Sequence, residues 1–116
     1  MKILVAERDL GWRKWFIRIL SSKKNLVVTS NDGQTAATRL RKRRVKFDLV
    51  ITATQMPCMT GPDLLEDMKL RKIIIPVIGV SDQDADREHY EHFWLKKKSQ
   101  APALLALIRK LAVKSP

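Results

Sequence analysis

Strands and helices are predicted from the alternation of short apolar runs with segments of helical spacing. The apolar runs begin roughly 20–25 residues apart, which is the length of a strand, a helix and their loops. Their valine and isoleucine content is typical of strands covered on both faces of a sheet. Five runs alternating with helices predict an α/β fold with a doubly wound, five-stranded parallel sheet. The runs are 3–6, 26–29, 49–52, 73–80 and 93–95.

The segments between the runs carry apolar side chains on one face, as amphipathic helices do. In the first segment, the spacing predicts that Trp15 and Phe16 are the more buried and that Trp12 is partly exposed. The segment 82–92 is short and mostly polar, so the fourth helix is predicted to be shortened. The other helices are predicted over 34–43, from Pro62 onward and over 102–113.

The length and composition are those of one folded domain. The 116 residues suffice for a single core and 45% of them are apolar, so one domain is predicted over 1–116. The apolar stretches are too short to span a membrane, and no membrane contact is predicted. Glu7 interrupts the N-terminal apolar run, which argues against a signal peptide. The single cysteine, Cys58, excludes an internal disulfide, and a cytoplasmic location is predicted.

The charge is strongly positive. Lysine and arginine number 23, aspartate and glutamate number 12, and the net charge is +11. Such a balance favours acidic proteins or nucleic acid as partners, although a solvated basic surface explains it equally well. No aromatic residues are interleaved to stack bases, so nucleic acid is the second choice. Part of the densest basic run lies at the end of the predicted second helix, and a helix C-terminus favours positive charge without any ligand. That run is Arg39, Arg41, Lys42, Arg43, Arg44 and Lys46.

Five motifs stand in order along the chain, around the predicted strands. They are MKILVAERD, SNDGQTAATRL, DLVITATQMPCMTGPDLL, IPVIGVS, and FWLKKK followed by APALLALIRKL. Together they resemble the receiver (CheY-like) domain of bacterial two-component response regulators over nearly the whole chain. The resemblance implies a sheet with strand order 2-1-3-4-5. It also implies a signalling role in a two-component or phosphorelay system.

The resemblance locates the pocket in which receivers accept a phosphoryl group from a histidine kinase. An acidic pair that holds Mg²⁺ aligns with Glu7 and Arg8, and the aspartate nucleophile aligns with Ala53. The hydroxyl residue and the lysine align with Ser81 and Lys97. Alanine has no nucleophilic atom. Arg8 would repel the ion, because unit charges 4 Å apart interact by ~4 kcal/mol at an effective dielectric of 20. We therefore predict no Mg²⁺ site, no cofactor and no enzymatic activity.

An internal ion pair is predicted to neutralise this degenerate pocket. Arg8 or Lys97 would be the cation, and Glu7 or Asp9 the anion. Asp9 is also the acid that could replace the missing nucleophile if it reached inward. Ser81 has a structural alternative, which is to cap the short fourth helix.

Receivers often pair through the face made by the fourth helix, the fifth strand and the last helix. The resemblance therefore implies this face as the contact for a sensor kinase, an effector domain or a second copy. Trp94 and Leu107 are candidates for it, since tryptophan is enriched in binding hot spots and Leu107 lies off the inward stripe. Alternatively, Trp94 covers apolar surface on an edge strand.

The function predicted from these residues is that of a pseudo-receiver, which works by protein–protein interaction without its own phosphorylation. Two alternatives stay open. One is an active receiver that uses a displaced acid such as Asp9, and it would bind phosphate analogues together with Mg²⁺. The other is a basic nucleic-acid-binding module, whose affinity would fall steeply with salt.

Overall fold

The computed structural model describes residues 1–22, 24–42 and 44–114, without the side chains of 113 and 114. A five-stranded sheet lies at the centre, all of its pairs are parallel, and the strand order is β2-β1-β3-β4-β5. The predicted doubly wound sheet and its order are therefore confirmed. The strands are β1 (Lys2–Ala6), β2 (Leu26–Ser30), β3 (Leu49–Ala53), β4 (Val77–Ser81) and β5 (His92–Leu95).

The fourth helix is shortened, as predicted. A six-residue 3-10 segment over Asp84–His89 stands in its place, followed by β5. The fourth apolar run becomes a strand only at Val77, because Pro76 has no backbone N–H to donate to a neighbouring strand. The α-helices are α1 (Leu10–Leu20), α2 (Gly33–Arg41), α3 (Gly61–Leu70) and α4 (Ala101–Lys114). No helix in the described part of the chain has the length and apolar character needed to cross a bilayer.

Side-chain caps fix where three helices begin. Asp9 accepts the Trp12 N–H at 2.8 Å at the start of α1, and Asp32 accepts the Thr35 N–H at 2.7 Å at the start of α2. Thr60 opens α3 with a reciprocal capping box. Each cap accepts a hydrogen bond from a backbone N–H that has no partner within its own helix. Such a cap typically stabilises the helix by about 1 kcal/mol. These loops follow β1, β2 and β3, so the caps order the edge of the sheet at which those strands end.

An aromatic cluster joins α1 to β5. Trp15 is 6% exposed and Phe16 is fully buried, whereas Trp12 is partly exposed, so the predicted helix phase is confirmed. The Trp94 ring stacks on Trp15 at 5.5 Å between centroids, and its Nε1 donates to the Gln100 carbonyl at 2.9 Å. Trp94 is only 4% exposed, which favours the alternative that it covers apolar surface over a place at an interface.

Candidate functional site

The candidate pocket lies where the carboxyl ends of β1, β3 and β4 meet. Glu7 directly follows β1, Ala53 ends β3 and Ser81 ends β4. The register pairs Ala6 with Thr52 and Ala53 with Val80, so these positions stand side by side across adjacent strands. The structure thus brings together three of the positions that the sequence pattern selected.

A buried ion pair occupies the centre of this edge. Glu7 is 2% exposed, and its Oε1 accepts a hydrogen bond from the Lys96 ammonium at 2.5 Å. Its Oε2 accepts the Asp9 backbone N–H at 3.2 Å. The Lys96 side chain is itself only 14% exposed. An internal cation therefore neutralises this buried acid.

The cation is neither of the two residues that the sequence suggested. Lys97 is exposed and begins the 3-10 turn that leads into α4. Lys96 lies on the same face of its strand as Trp94, because side chains alternate along a strand, and that face packs against α1. Its ammonium also stands 5.0 Å from the centre of the Trp12 ring. The assignment of the pocket lysine is therefore corrected by one position, from Lys97 to Lys96.

Arg8 is exposed, and another arginine, Arg13, holds the loop that follows β1. The Arg8 side chain is exposed and takes part in none of the ion pairs among the described residues. Arg13 donates from Nη1 to the carbonyls of Glu7 at 2.9 Å and Arg8 at 2.7 Å. In the sequence, Arg13 shows only as a charged residue off the apolar face of α1, and that pattern gives no sign of its role at the site.

Asp9 and Ser81 are both engaged in holding secondary structure. Asp9 is exposed, and its carboxylate caps α1 by accepting the Trp12 N–H. The Ser81 hydroxyl donates to Asp86 at 2.6 Å and accepts the Gln83 N–H at 3.0 Å. Ser81 therefore ties the end of β4 to the 3-10 segment, but it does not cap that segment, which begins without a side-chain cap.

The side chains at these strand ends do not fit Mg²⁺. That ion takes oxygen ligands in octahedral geometry, usually including carboxylates. Ala53 supplies no side-chain oxygen, the Glu7 carboxylate is bonded to Lys96, and the Asp9 carboxylate caps a helix. Within the described residues, no three His, Cys, Asp or Glu side chains group together as a metal site would require.

Tyr90 covers the part of β4 where a full fourth helix would be expected to pack. Its phenol shares a hydrogen bond with the Thr54 hydroxyl at 2.9 Å, and its ring stacks on Phe93. The ring lies so close to Gly79 that a Cβ there would meet it at 2.2 Å. Burial raises the pKa of Tyr90, the Thr54 hydrogen bond opposes that rise, and Asp86 adds to it. Gly79 is the sequence signal for this contact, since it leaves room for a ring.

The predicted basic run is only partly free for a partner. Arg41 pairs with Asp67 at 2.9 Å, and Arg71 contacts the same oxygen at 3.3 Å. Burial alone would raise the pKa of Asp67, but the two arginines lower it overall. Lys42 is exposed at the end of α2. The other exposed members are Arg39, Arg44 and Lys46, and Arg43 lies outside the described residues.

Residues 3–108 match the model of the response regulator receiver domain family. The chain belongs to that family. The receiver is 36% identical to the two-component response regulator ORR26 of Oryza sativa subsp. japonica over 81 residues, which cover 70% of this chain and 14% of that protein. It is 24% identical to ARR22 of Arabidopsis thaliana over 111 residues, which cover 93% of this chain and 78% of that regulator.

Solved receiver structures share the fold. The Francisella response regulator 1452 receiver domain has a TM-score of 0.88 at 20% identity, with coverage of 99% of this chain and 98% of that one. The Thermotoga maritima response regulator TrrA, solved in complex with Mg²⁺–BeF, has a TM-score of 0.83 at 19% identity, with coverage of 95% and 97%. The resemblance drawn from the five motifs is confirmed, and the receiver spans only a small part of the rice regulator.

Proposed function

We propose that this receiver is a signalling module of a two-component system that does not accept a phosphoryl group itself. The observation that carries the proposal is Ala53 at the end of β3, beside a Glu7 carboxylate that Lys96 already neutralises. A phosphoryl acceptor needs a nucleophilic oxygen at that strand end, and the methyl group of alanine provides none.

The ion pair supports a pocket that stays in one state. Receivers gather carboxylates that repel one another until Mg²⁺ binds, whereas here the pocket lysine, Lys96, already pairs with the acid that remains of the acidic pair, Glu7. Removing one partner of a buried pair typically destabilises a protein by about 3–5 kcal/mol, so the pair is not readily opened. The change in charge that normally biases a switch is therefore absent.

The receiver would then act through protein contacts. Its candidate face consists of the 3-10 segment, β5 and α4, and its partner would be a sensor kinase, an effector domain or a second copy. Leu107 is half-buried against the core and offers part of its side chain to that face. Trp94 contributes packing beneath it and no contact surface.

Labelling with acetyl phosphate in the presence of Mg²⁺ tests the loss of phosphorylation. We expect no label on the natural receiver and none on Ala53→Asp, because Arg8 still stands in place of a metal-binding acid. The double variant Arg8→Asp with Ala53→Asp is the minimum change that restores labelling. Its matched control is Arg8→Asp with Ala53→Asn, which has nearly the same shape and no carboxylate.

Two results would contradict the proposal in different ways. Stoichiometric label on the natural receiver would show that another residue, such as Asp9, accepts the phosphoryl group. Strong labelling of Ala53→Asp alone would leave the missing nucleophile as the sole defect and remove Arg8 from the explanation. Circular dichroism on each variant establishes that the proteins compared are folded.

A further inference from the structure

A groove lies at the edge of the sheet opposite the strand-end pocket. It has a volume of about 390 Å³ and lies between the connection from α2 to β3 and the connection from α3 to β4. Apolar side chains form most of its wall, among them Val45, Phe47, Ile73 and Ile75. Two smaller hollows, of about 170 Å³ and 160 Å³, share parts of that wall and extend it into one strip. We call this strip the amino-end groove.

An unusually exposed apolar residue lines the amino-end groove. Ile74 lines it and is 95% exposed, and Leu70, at the end of α3, is 75% exposed. Single exposed apolar residues are common on protein surfaces. A bulky exposed residue in the wall of an apolar groove is different, because contiguous apolar surface of this kind marks binding sites.

The rim of the amino-end groove is basic. Lys42 and Lys46 line it and are exposed, and neither takes part in an ion pair among the described residues. Arg39 borders the adjoining hollow. The acid in the wall, Asp48, already accepts the Lys2 backbone N–H at 2.7 Å. The rim and the adjoining hollow therefore carry three exposed cations against the single carboxylate of Asp48, so the local charge is positive.

We propose that the amino-end groove binds an acidic amphipathic segment of a partner protein. Bulky apolar side chains of that segment would fill the groove, and its carboxylates would face Lys42 and Lys46. Charge complementarity selects an acidic ligand. The concave apolar floor favours a peptide over a nucleic acid, whose phosphates would leave that floor unused, and over a flat lipid surface.

This inference goes beyond the proposed signalling function and is independent of it. The groove lies at the amino ends of β1, β3 and β4, whereas the strand-end pocket lies at their carboxyl ends. Five-residue strands separate the two by roughly 16 Å. The groove would bind its segment whether or not the receiver accepts a phosphoryl group.

Fluorescence anisotropy with a designed peptide tests the proposal. The probe is a labelled helical peptide with leucines at i, i+3, i+4 and i+7 and glutamates between them. We expect Lys42→Glu with Lys46→Glu to weaken its binding about tenfold or more, and Ile74→Ser about fivefold. The charge-matched control, Lys14→Glu with Arg18→Glu on the exposed face of α1, should change affinity less than about twofold.

Three outcomes would overturn the proposal. One is equal weakening by the two charge-reversed variants, which would show attraction to net charge alone. Another is failure of the natural receiver to bind the peptide. The third is that the natural receiver binds a DNA duplex or phosphatidylserine vesicles more tightly than the peptide, and that Lys42→Glu with Lys46→Glu weakens this binding to the same extent. Amide chemical shifts should also move over 42–48 and 70–75 when the peptide binds, and shifts confined elsewhere would refute the location.

Discussion

Replacement of Lys96 by methionine should destabilise the receiver, because it leaves a buried carboxylate without its cation. The Glu7 side chain is 2% exposed, and Lys96 contacts it at 2.5 Å. The other hydrogen-bond partner of that carboxylate is the Asp9 backbone N–H at 3.2 Å. Methionine keeps an apolar stem beside Trp12 and removes only the charge, so the change isolates the ion pair.

The expected loss is large for a single substitution. Removing one partner of a buried pair typically lowers the free energy of unfolding by about 3–5 kcal/mol. Because Lys96 is partly exposed, we expect a loss of about 3 kcal/mol for Lys96→Met. With a urea m-value of about 2 kcal/mol/M, the unfolding midpoint should fall by about 1.5 M. The melting temperature should fall by about 10 °C for a domain of this size.

Urea unfolding at pH 7, followed by tryptophan fluorescence and far-ultraviolet circular dichroism, measures the effect. Lys97→Met is the matched control, since Lys97 is exposed, and it should change stability by less than about 0.5 kcal/mol. Adding Glu7→Gln to Lys96→Met should recover much of the loss, because the uncompensated charge is gone. Equal destabilisation by Lys96→Met and Lys97→Met would refute the assignment of the pocket lysine.

Two further predictions concern Tyr90 and Asp9. Because the pKa of Tyr90 is raised in the folded state, its contribution to stability is complete below about pH 10 and declines at higher pH as the unfolded chain ionises first. Tyr90→Phe should therefore flatten the alkaline loss of stability measured by urea unfolding, and an unchanged alkaline limb would contradict this. Asp9→Ala should remove the α1 cap and lower the free energy of unfolding by about 1 kcal/mol, as measured by thermal melting. If Asp9 instead served as a phosphoryl acceptor, its loss would remove acetyl-phosphate labelling.

Most of the fold could be predicted because it depends on local patterns. Runs of valine and isoleucine identify parallel strands, and their spacing leaves room for one helix between neighbours. Pro76 shows the limit of such patterns. Residues 73–75, which precede Pro76, were predicted as part of the fourth strand, yet β4 begins only at Val77.

The site was harder to predict because it depends on contacts between distant segments. Three successive lysines follow β5, and only the packing of Trp94 on Trp15 shows that Lys96 shares the buried face. The position of Tyr90 likewise depends on Gly79, a residue of the neighbouring strand. Alternation within β5 places Lys96 on the face of Trp94, but it does not show that this face packs against α1 or that Gly79 leaves room for Tyr90.

On the proposed function, contacts of the same kind would close both ends of the receiver's switch. At the input, Lys96 neutralises Glu7. At the output, Ser81 is bonded to Asp86 in the 3-10 segment, and Tyr90 is held by Thr54. A hydroxyl that elsewhere in the family contacts the phosphoryl group is here already occupied. A substitution that restored only the nucleophile would therefore leave the signal without a free hydroxyl to receive it, which is a second reason why Ala53→Asp alone should not produce a working switch.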